Sequence, residues 1–314
     1  YFWLATIAFS AKTGTAETPI LWHAVFILIP VVFGLWFWSA FSRNRAQLLV
    51  GFAVILAVAG GTFAVLVLPE LHLGNFIFMT ERNFVDVIRA RQGAVTGGID
   101  FPNVWHAFAN SLYLAGGQTV IVVTVASLAG YYLSRFQFPG RAGMLRSLLV
   151  IHAFPVLTLI VPLFLMLNFV GLLDRLIGVI LVLVAFELPF AIFIMKGFFD
   201  AVPWDIEMSA LADGASRRQA FVKVVLPQVT NGLIAISVFS FIRGWEEYIF
   251  VFTFLIKNAN WTMSLYLFWV ADDVMGADFG VVSAVGFFYL VPSLALYAFA
   301  QKYLAQMTVG GIKG

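Results

Sequence analysis

Residues Glu207–Pro227, EMSALADGASRRQAFVKVVLP, are the longest polar interruption in the second half of an otherwise apolar chain. Pro203, just upstream, suits the first turn of a helix, where its missing N–H costs nothing. Gly214 is able to take a positive φ and therefore suits the end of that helix. Ser216 and Gln219 have the spacing of a capping box, which marks the start of a second helix. The stretch predicts two short helices joined at a glycine, outside the hydrocarbon.

The polar stretch has two interpretations. It is either a connecting loop kept soluble by arginine and lysine, or a docking element for a partner on another chain. Ser209, Ala210 and Asp213 recur at helical spacing, and small residues there let a partner's surface approach closely. These physical arguments alone support the two interpretations about equally.

The composition predicts an all-α integral membrane protein. Of the 314 residues, 62% are hydrophobic and 11% are charged, whereas a soluble domain carries about a quarter charged residues. The 34 Phe and 9 Trp suit lipid-facing and interfacial positions. The chain has no cysteine, which excludes disulfides and thiolate catalysis. A net charge of +2 does not indicate nucleic-acid binding, and the four histidines lack metal-ligand spacing.

Seven apolar segments have about the 20 residues that a membrane-spanning helix requires. They are residues 20–41, 46–68, 105–132, 144–172, 176–199, 229–256 and 281–304. An eighth span is added if Tyr1–Ala11 is the end of a longer helix, and the missing initial Met leads us to expect a native N-terminus upstream. Pro155 and Pro162 predict breaks in the fourth of the seven segments.

The connections between the spans are more polar. We expect an extramembrane loop with one surface helix at 71–103, a tight turn at 174–175 and a polar loop at 257–279. The basic connections at 42–45, 135–146 and 217–223 alternate with the other connections along the chain, and the tail lies on their side. By the positive-inside rule, this basic side faces the cytoplasm.

The order of residues in the opening stretch resembles the EAA loop of a known family. Glu-x-x-Ala-x-x-Asp-Gly-Ala, followed by Phe and Leu-Pro, is similar to the loop in inner-membrane permease subunits of binding-protein-dependent, ATP-driven (ABC) importers. The carbohydrate-type subunits related to the maltose importer are the most similar. The matching residues are Glu207, Ala210, Asp213, Gly214, Ala215, Phe221, Leu226 and Pro227. Met208 and Ser209 depart from the pattern, because the family has Glu and Ala there.

Other stretches resemble the same family in the same order. They are Asn110–Leu112 (NSL), Tyr132–Arg141 (YLSRFQFPGR), Leu188–Phe190 (LPF), Trp245–Tyr248 (WEEY, where the family has WNEF) and the terminal Gly310–Gly314 (GGIKG). The resemblance covers residues 46–314, and implies a six-helix type I ABC importer core there. Residues 1–45 would form an apolar segment and an extra transmembrane helix.

The resemblance implies a permease subunit of a bacterial or archaeal inner membrane, forming half of the path for a sugar or polyol. Residues 203–216 would be a coupling helix that is moved when an ATPase dimer closes. The expected partners are that ATPase, a second homologous permease, an extracytoplasmic solute-binding protein and lipid. ATP and Mg would bind the partner ATPase, since this chain has no GxxxxGK[ST] phosphate loop. No cofactor is expected on this chain.

The family pattern also implies which residues couple to the ATPase. They are Glu207, Met208, Ser209, Ala210, Asp213, Gly214, Ala215, Phe221, Leu226 and Pro227.

Ionisable groups at membrane depth are costly and are therefore candidates for function. Arg243, Glu246 and Glu247 lie on about one helical turn, where they either line the translocation path or pair internally, with Arg243 and Glu247 at salt-bridge spacing. Glu187, before Pro189, is also suited to bonding backbone that the proline frees. The full set of candidate path residues is Arg243, Trp245, Glu246, Glu247, Tyr248, Glu187 and Asn110.

Two other functions compete with the importer. A membrane-embedded enzyme would need a nucleophile–base or metal constellation, and the sequence has scattered histidines, no cysteine and no GxSxG. A stand-alone pore or scaffold would not need a capped, bent helix outside the membrane.

Overall fold

The computed structural model describes residues 2–10, 19–41, 45–67, 71–82, 84, 86–87, 101–271 and 278–310. Their regular structure is helical, which confirms the all-α prediction, and Ser10 and Leu71 form an isolated β-bridge. The helices are α1 (Phe2–Ala8), α2 (Pro19–Phe41), α3 (Arg45–Leu66), α4 (Val104–Arg135), α5 (Arg141–His152), α6 (Ile160–Phe169), α7 (Leu176–Asp200), α8 (Trp204–Ala212), α9 (Arg217–Ala220), α10 (Leu226–Gln228), α11 (Thr230–Glu246), α12 (Ile249–Phe254), α13 (Met263–Ala271) and α14 (Phe279–Gly310).

Within the described residues, four helices are long and apolar enough to cross a bilayer. They cover Leu49–Leu66, Val104–Arg135, Leu176–Asp200 and Phe279–Gln301. Two further pairs of helices are bent, and the number rises to six if each pair is one span. Helix α2, with 23 residues, coincides with the predicted span at 20–41. The chain therefore has the several apolar helices of a multi-pass membrane protein.

The first bent pair lies in the predicted span 144–172. Helix α5 and the segment Val156–Phe169, which contains α6, meet at 84°. Pro155 lies at this bend with an extended backbone, because a proline cannot donate the N–H that would continue the helix. Pro162 lies in the first turn of α6, where no N–H is needed. The break predicted at Pro155 is confirmed, and the break predicted at Pro162 is wrong.

The second bend lies between Gln228 and Thr230, where two helical segments meet at 76°. The predicted span 229–256 is also interrupted further along, because Glu247 has an extended backbone (φ −65°, ψ 119°) between α11 and α12. The prediction of one continuous helix over these residues is therefore wrong. The charged stretch that ends α11 turns out of the helix, and a short second helix completes the segment.

The expected polar loop at 257–279 contains an apolar helix instead. Helix α13 has the sequence MSLYLFWVA, and its Met263, Leu265, Tyr266 and Val270 are buried. Nine residues are too few to cross a bilayer, so this helix packs against protein. The neighbouring aspartates at 272–273, which suggested a polar loop, lie outside the described residues.

Part of the expected loop at 71–103 is also described. Gly74–Met79 form a 3₁₀ turn, and Phe78, Phe84 and Phe101 are buried. Most of the surface helix predicted in this loop lies outside the described residues.

Contacts between residues divide the chain into two compact units. The first is Tyr1–Val104 with Leu267–Leu290, and the second is Trp105–Tyr266 with Val291–Gly314. In the first unit, the amide of Asn75 donates to the carbonyls of Ala8 and Ser10 at 3.0 and 2.8 Å. Gly280 packs so tightly on Asn75 that a Cβ there would lie 2.8 Å from its Oδ1. The predicted boundary at residue 45 stays a prediction.

In the second unit, α4, α7 and α11 approach closely through glycines. A Cβ on Gly130 of α4 would lie 2.8 Å from Cβ of Met195 and 2.9 Å from the backbone nitrogen of Lys196. A Cβ on Gly244 of α11 would lie 2.9 Å from Cα of Ala115. Small residues allow this close packing between membrane helices. The resulting three-helix core positions both the polar stretch and the ionisable groups of the spans.

Candidate functional site

The polar stretch begins with α8, directly after Pro203. This proline is the N-cap rather than a residue of the first turn. Asp205 and Glu207 lie in the first turn, where the partial positive charge of the helix end stabilises acids.

Helix α8 ends in the bend that the sequence predicts at Gly214. This glycine has φ of 89°. Its N–H donates to the carbonyl of Leu211 at 3.1 Å, and the N–H of Ala215 donates to the carbonyl of Ala210 at 3.0 Å. Together these bonds form a Schellman motif, which satisfies carbonyls that the helix end would leave unpaired.

The second predicted helix starts with the expected capping box. Gln219 N donates to the Ser216 hydroxyl at 3.3 Å, and Ser216 N donates to Oε1 of Gln219 at 2.8 Å. Helix α9 has four residues, and a π-helical turn over Phe221–Val225 follows it. Single π turns occur often at functional sites. Leu226 and Pro227 then begin α10 before the bend into α11.

Glu207 fastens α8 to the end of α4. Its side chain is 1% exposed. Oε1 accepts a hydrogen bond from the Tyr131 hydroxyl at 2.5 Å, and Oε2 lies 3.0 Å from Nε of Arg135 as an ion pair. The Nε–H of Arg135 and Oε2 of Glu207 do not form a hydrogen bond, so their contact is an electrostatic one between opposite charges. Burial of the pair makes each charge depend on the other, since an unpaired buried charge is very costly.

Sequence reasoning missed both partners of Glu207. The sequence places Arg135 in a basic connection without indicating a partner, and it assigns no role to Tyr131. The signal available was that Arg135 falls inside the family-like segment Tyr132–Arg141, but its partner lies 72 residues away along the chain.

The predicted coupling residues divide by exposure. Ser209, Asp213, Gly214 and Pro227 are exposed, Met208, Ala210, Ala215 and Leu226 are half-buried, and Glu207 and Phe221 are buried. The exposed surface of α8 also carries two large apolar side chains, Trp204 at 44% and Ile206 at 37% exposure. A short polar stretch that presents apolar side chains on a capped helix has the character of an interaction surface.

Among the candidate path residues, Glu187 is buried between three helices. Nε2 of Gln118 on α4 donates to its Oε2, and the Ser240 hydroxyl on α11 donates to the same oxygen at 3.1 Å. Its partners are therefore side chains, and not backbone freed by Pro189 as one interpretation expected. In this arrangement Glu187 joins the three-helix core.

Arg243, Glu246 and Glu247 differ although they lie close together. Arg243 and Glu246 are exposed on α11, while Glu247 is half-buried. Oε1 of Glu247 accepts the N–H of Phe250 at 2.9 Å and so caps the start of α12. The ion pair between Arg243 and Glu247, one of the two alternatives that the sequence left open, is not formed in the part of the chain that the structure describes.

Trp245 and Asn110 are structural in this conformation. Trp245 is 1% exposed, and its ring centroid lies 5.5 Å from that of Phe108. The Asn110 amide donates to the carbonyls of Ala259 and Trp261 at 2.9 and 3.0 Å.

Tyr248 is half-buried, with its ring 5.6 Å from that of Phe252. Of the candidate path residues, Arg243 and Glu246 are therefore the exposed ones, whereas Tyr248 is partly accessible.

The tight turn predicted at Asp174 holds the segment after α12. Asp174 has φ of 58°, and its Oδ1 accepts the N–H groups of Ile256 and Lys257 at 2.9 and 3.0 Å. Burial raises the pKa of Asp174, but hydrogen bonds from Lys257, Asn260 and Ile256 and the charge of Lys257 outweigh it, so that the pKa is below its ordinary value. The turn is therefore anchored by an ionised carboxylate at neutral pH.

Comparison with known proteins places these features in a family. Residues 98–308 match the family described as the binding-protein-dependent transport system inner membrane component. The chain is 32% identical to the diacetylchitobiose uptake system permease protein NgcG of Streptomyces coelicolor, over 65% of this chain and 68% of that protein. It is 31% identical to the trehalose transport system permease protein SugB of Mycobacterium tuberculosis, over 66% and 77%.

A solved structure shows the same fold. The crystal structure of a bacterial ABC transporter involved in the import of the acidic polysaccharide alginate matches 83% of this chain and 99% of its own with a TM-score of 0.58, at 21% identity. The region matched to the family includes the three-helix core, the buried Glu207 contact and the capped α8. The chain belongs to the inner-membrane permease components of binding-protein-dependent ABC importers, and is a multi-pass transport subunit of the inner membrane.

Proposed function

We propose that α8 and its flanking residues, 203–216, dock on an ATP-binding cassette ATPase. The observation that carries this proposal is a nine-residue helix that ends in a Schellman motif, is anchored from inside by Glu207, and exposes Trp204 and Ile206. A connecting loop needs none of these features. ATP and Mg bind the ATPase in this proposal, and closure of the ATPase dimer moves the helix.

The predicted coupling residues then have two kinds of role. Exposed Ser209 and Asp213, with half-buried Met208, form the contact surface, while buried Glu207 and Phe221 hold the helix in place. Because Met208 stands where the family has a second Glu, the contact at that position rests on apolar packing and shape.

The translocation path is proposed to pass beside the exposed end of α11. Arg243 and Glu246 are charged and exposed in a membrane segment, and charged groups at membrane depth face water or protein instead of lipid. We assign them to the water-filled path or to its boundary with a second homologous permease, which supplies the other half. An extracytoplasmic solute-binding protein delivers the substrate.

The proposed substrate is a mono-, di- or oligosaccharide or a polyol. Relatives named for trehalose and diacetylchitobiose transport support a carbohydrate. Aromatic residues such as Tyr248, half-buried beside Glu246 and Glu247, suit the flat face of a sugar ring.

Purification of the tagged chain from its native membranes tests the proposal. We expect an ATPase and a second permease to co-purify, and their ATP hydrolysis to rise when the loaded binding protein is added. A chain that purifies alone, or with partners that do not hydrolyse ATP, would favour a stand-alone pore or an enzyme.

A further inference from the structure

We propose that Tyr131, Arg135 and Glu207 lock α8 onto α4, so that α4 moves as one body with the docking helix. These are positioning residues, since they act through α8 and do not touch the partner. The inference rests on the proposed function, because it assumes that the ATPase moves α8.

The first argument is the number of bonds that converge on the start of α8. Arg135 pairs with Glu207 and also donates from Nη2 to the carbonyl of Val202 at 2.9 Å. Its guanidinium lies 5.2 Å from the ring centre of Trp204. Arg135 therefore holds the residues before α8, its first residue and its first turn at once. An arginine suits this role because its planar fork bonds and stacks in fixed directions.

The second argument is that Tyr131 joins α8 to the rest of the stretch. Its hydroxyl donates to Glu207. Its ring centroid lies 4.5 Å from that of Phe221, in the π turn, and 5.7 Å from that of Phe199 at the end of α7. The end of α4 is therefore bonded to the segments on both sides of the Gly214 bend. A force on α8 therefore acts on α4 directly through these contacts, whereas it reaches α11 only along the connecting backbone.

The third argument is what α4 holds along the rest of its length. Helix α4 is continuous over 32 residues. Gln118 in its middle donates to buried Glu187. Near its start, Asn110 donates to the carbonyls of Ala259 and Trp261, and the Ser111 hydroxyl accepts the N–H of Met263 at 2.7 Å. At a rise of about 1.5 Å per residue, Asn110 and Arg135 are roughly 38 Å apart.

Helix α4 thus connects the ATPase side to the segment between α12 and α13 at the other end of the unit. The alternative is that α8 pivots on α4 and passes its motion only through the π turn into α11. The two differ in whether the distance between α8 and α4 changes when the ATPase closes. Spatial continuity alone does not demonstrate coupling, so this distance must be measured.

These 314 residues contain no cysteine, so two introduced cysteines are the labelling sites on this chain, and partner subunits labelled alone give the background signal. Ala212→Cys lies on the exposed side of α8, and Val120→Cys on α4 replaces a side chain that is 66% exposed. Spin labels on this pair are compared by pulsed EPR in the purified complex, without nucleotide and with ATP–vanadate. We expect the distance to be the same in both states.

Two variants then test whether the lock causes this constancy. Glu207→Gln removes the charge of the ion pair. Tyr131→Phe is the milder change, because it removes one hydroxyl and keeps the ring contacts with Phe199 and Phe221, so we expect this variant to retain the fold. In both we expect ATP–vanadate to shift or broaden the distance between the labels by several ångström. Tyr132→Phe, on the neighbouring residue that is 50% exposed, is the matched control and should behave as the unmodified chain.

Each outcome decides between the alternatives. A nucleotide-dependent distance in the unmodified complex overturns the lock, as does a constant distance in both lock variants. A chain that assembles with no ATPase overturns the proposed function, and the lock with it, before any distance is measured. A hydrolysing complex that fails only the distance test leaves the proposed function standing.

Discussion

Two adjacent glutamates in one membrane segment have different surroundings. Glu246 is exposed, whereas Glu247 accepts the N–H of Phe250 at 2.9 Å and caps α12. Removing a capping side chain costs about 0.5–2 kcal/mol. Glu247→Ala should therefore lower the melting temperature of the purified protein in detergent, and Glu246→Ala should not.

Transport should respond in the opposite order. Glu246→Ala is expected to change uptake kinetics while the complex still assembles, because its charge faces the proposed path. Glu247→Gln, which keeps an acceptor for Phe250, serves as the control for stability. Equal melting temperatures for Glu247→Ala and Glu246→Ala would show that the cap is unimportant.

Gly214 offers a second test at one residue. A Cβ there would meet open space, so only its φ of 89° restricts the side chain. A positive φ costs an ordinary L-residue about 1–2 kcal/mol, and asparagine less. We expect Gly214→Val to weaken co-purification of the ATPase and Gly214→Asn to retain most of it. Gly143→Val, on α5, also meets open space at ordinary φ and should have no effect.

At the scale of elements, the turn at Asp174 predicts a dependence on pH. The folded-state pKa of Asp174 is below its ordinary value, which is about 3.9. The stabilisation by the carboxylate is therefore complete above that ordinary value, and is lost as pH falls through the lowered one. Asp174→Asn keeps an acceptor and tolerates positive φ, so it isolates the charge.

The measurement is thermal unfolding of both proteins across pH. The unmodified chain should be the more stable at pH 7, and its advantage should shrink as the pH falls below about 4. An advantage that stays constant down to pH 3 would mean that the charge of Asp174 does not contribute.

The crossing of α4 and α7 predicts the effect of added volume. A Cβ on Gly130 would lie 2.9 Å from the backbone nitrogen of Lys196, which is closer than van der Waals contact. A helix backbone cannot shift to relieve this overlap without breaking its own hydrogen bonds. Gly130→Val should cost at least the roughly 1–3 kcal/mol of an overpacked core and reduce the yield of folded protein. Gly116→Val, on the same helix and facing open space, should be tolerated. Size-exclusion profiles in detergent distinguish the two.

These elements also show what the sequence could and could not predict. The bend at Gly214, the capping box at Ser216 and the break at Pro155 depend on residues within one turn, and all three are confirmed. The contact of Glu207 with Tyr131 joins residues 76 positions apart, which no local pattern reveals. Helix α13 was missed because nine apolar residues are too short for the span criterion and stand beside acidic neighbours.

At the scale of the whole molecule, composition and the family-like stretches were sufficient to predict the structural class and the family. The all-α membrane architecture and the importer family are confirmed by the apolar helices and by the match over residues 98–308. Composition could not show which charged groups of the spans are exposed. Packing decides this, since Glu187 is enclosed by Gln118 and Ser240 while Glu246 is left open.

The central claim is that α8 is the surface on which the ATPase docks. Site-specific photo-crosslinking in native membranes tests it without knowledge of the substrate. A benzoyl-phenylalanine at exposed Ser209 should crosslink to a nucleotide-binding subunit. The same probe at Phe169, which is 90% exposed on the opposite side of the membrane by the positive-inside prediction, should not. An ATPase captured from Phe169 and not from Ser209 would contradict the account.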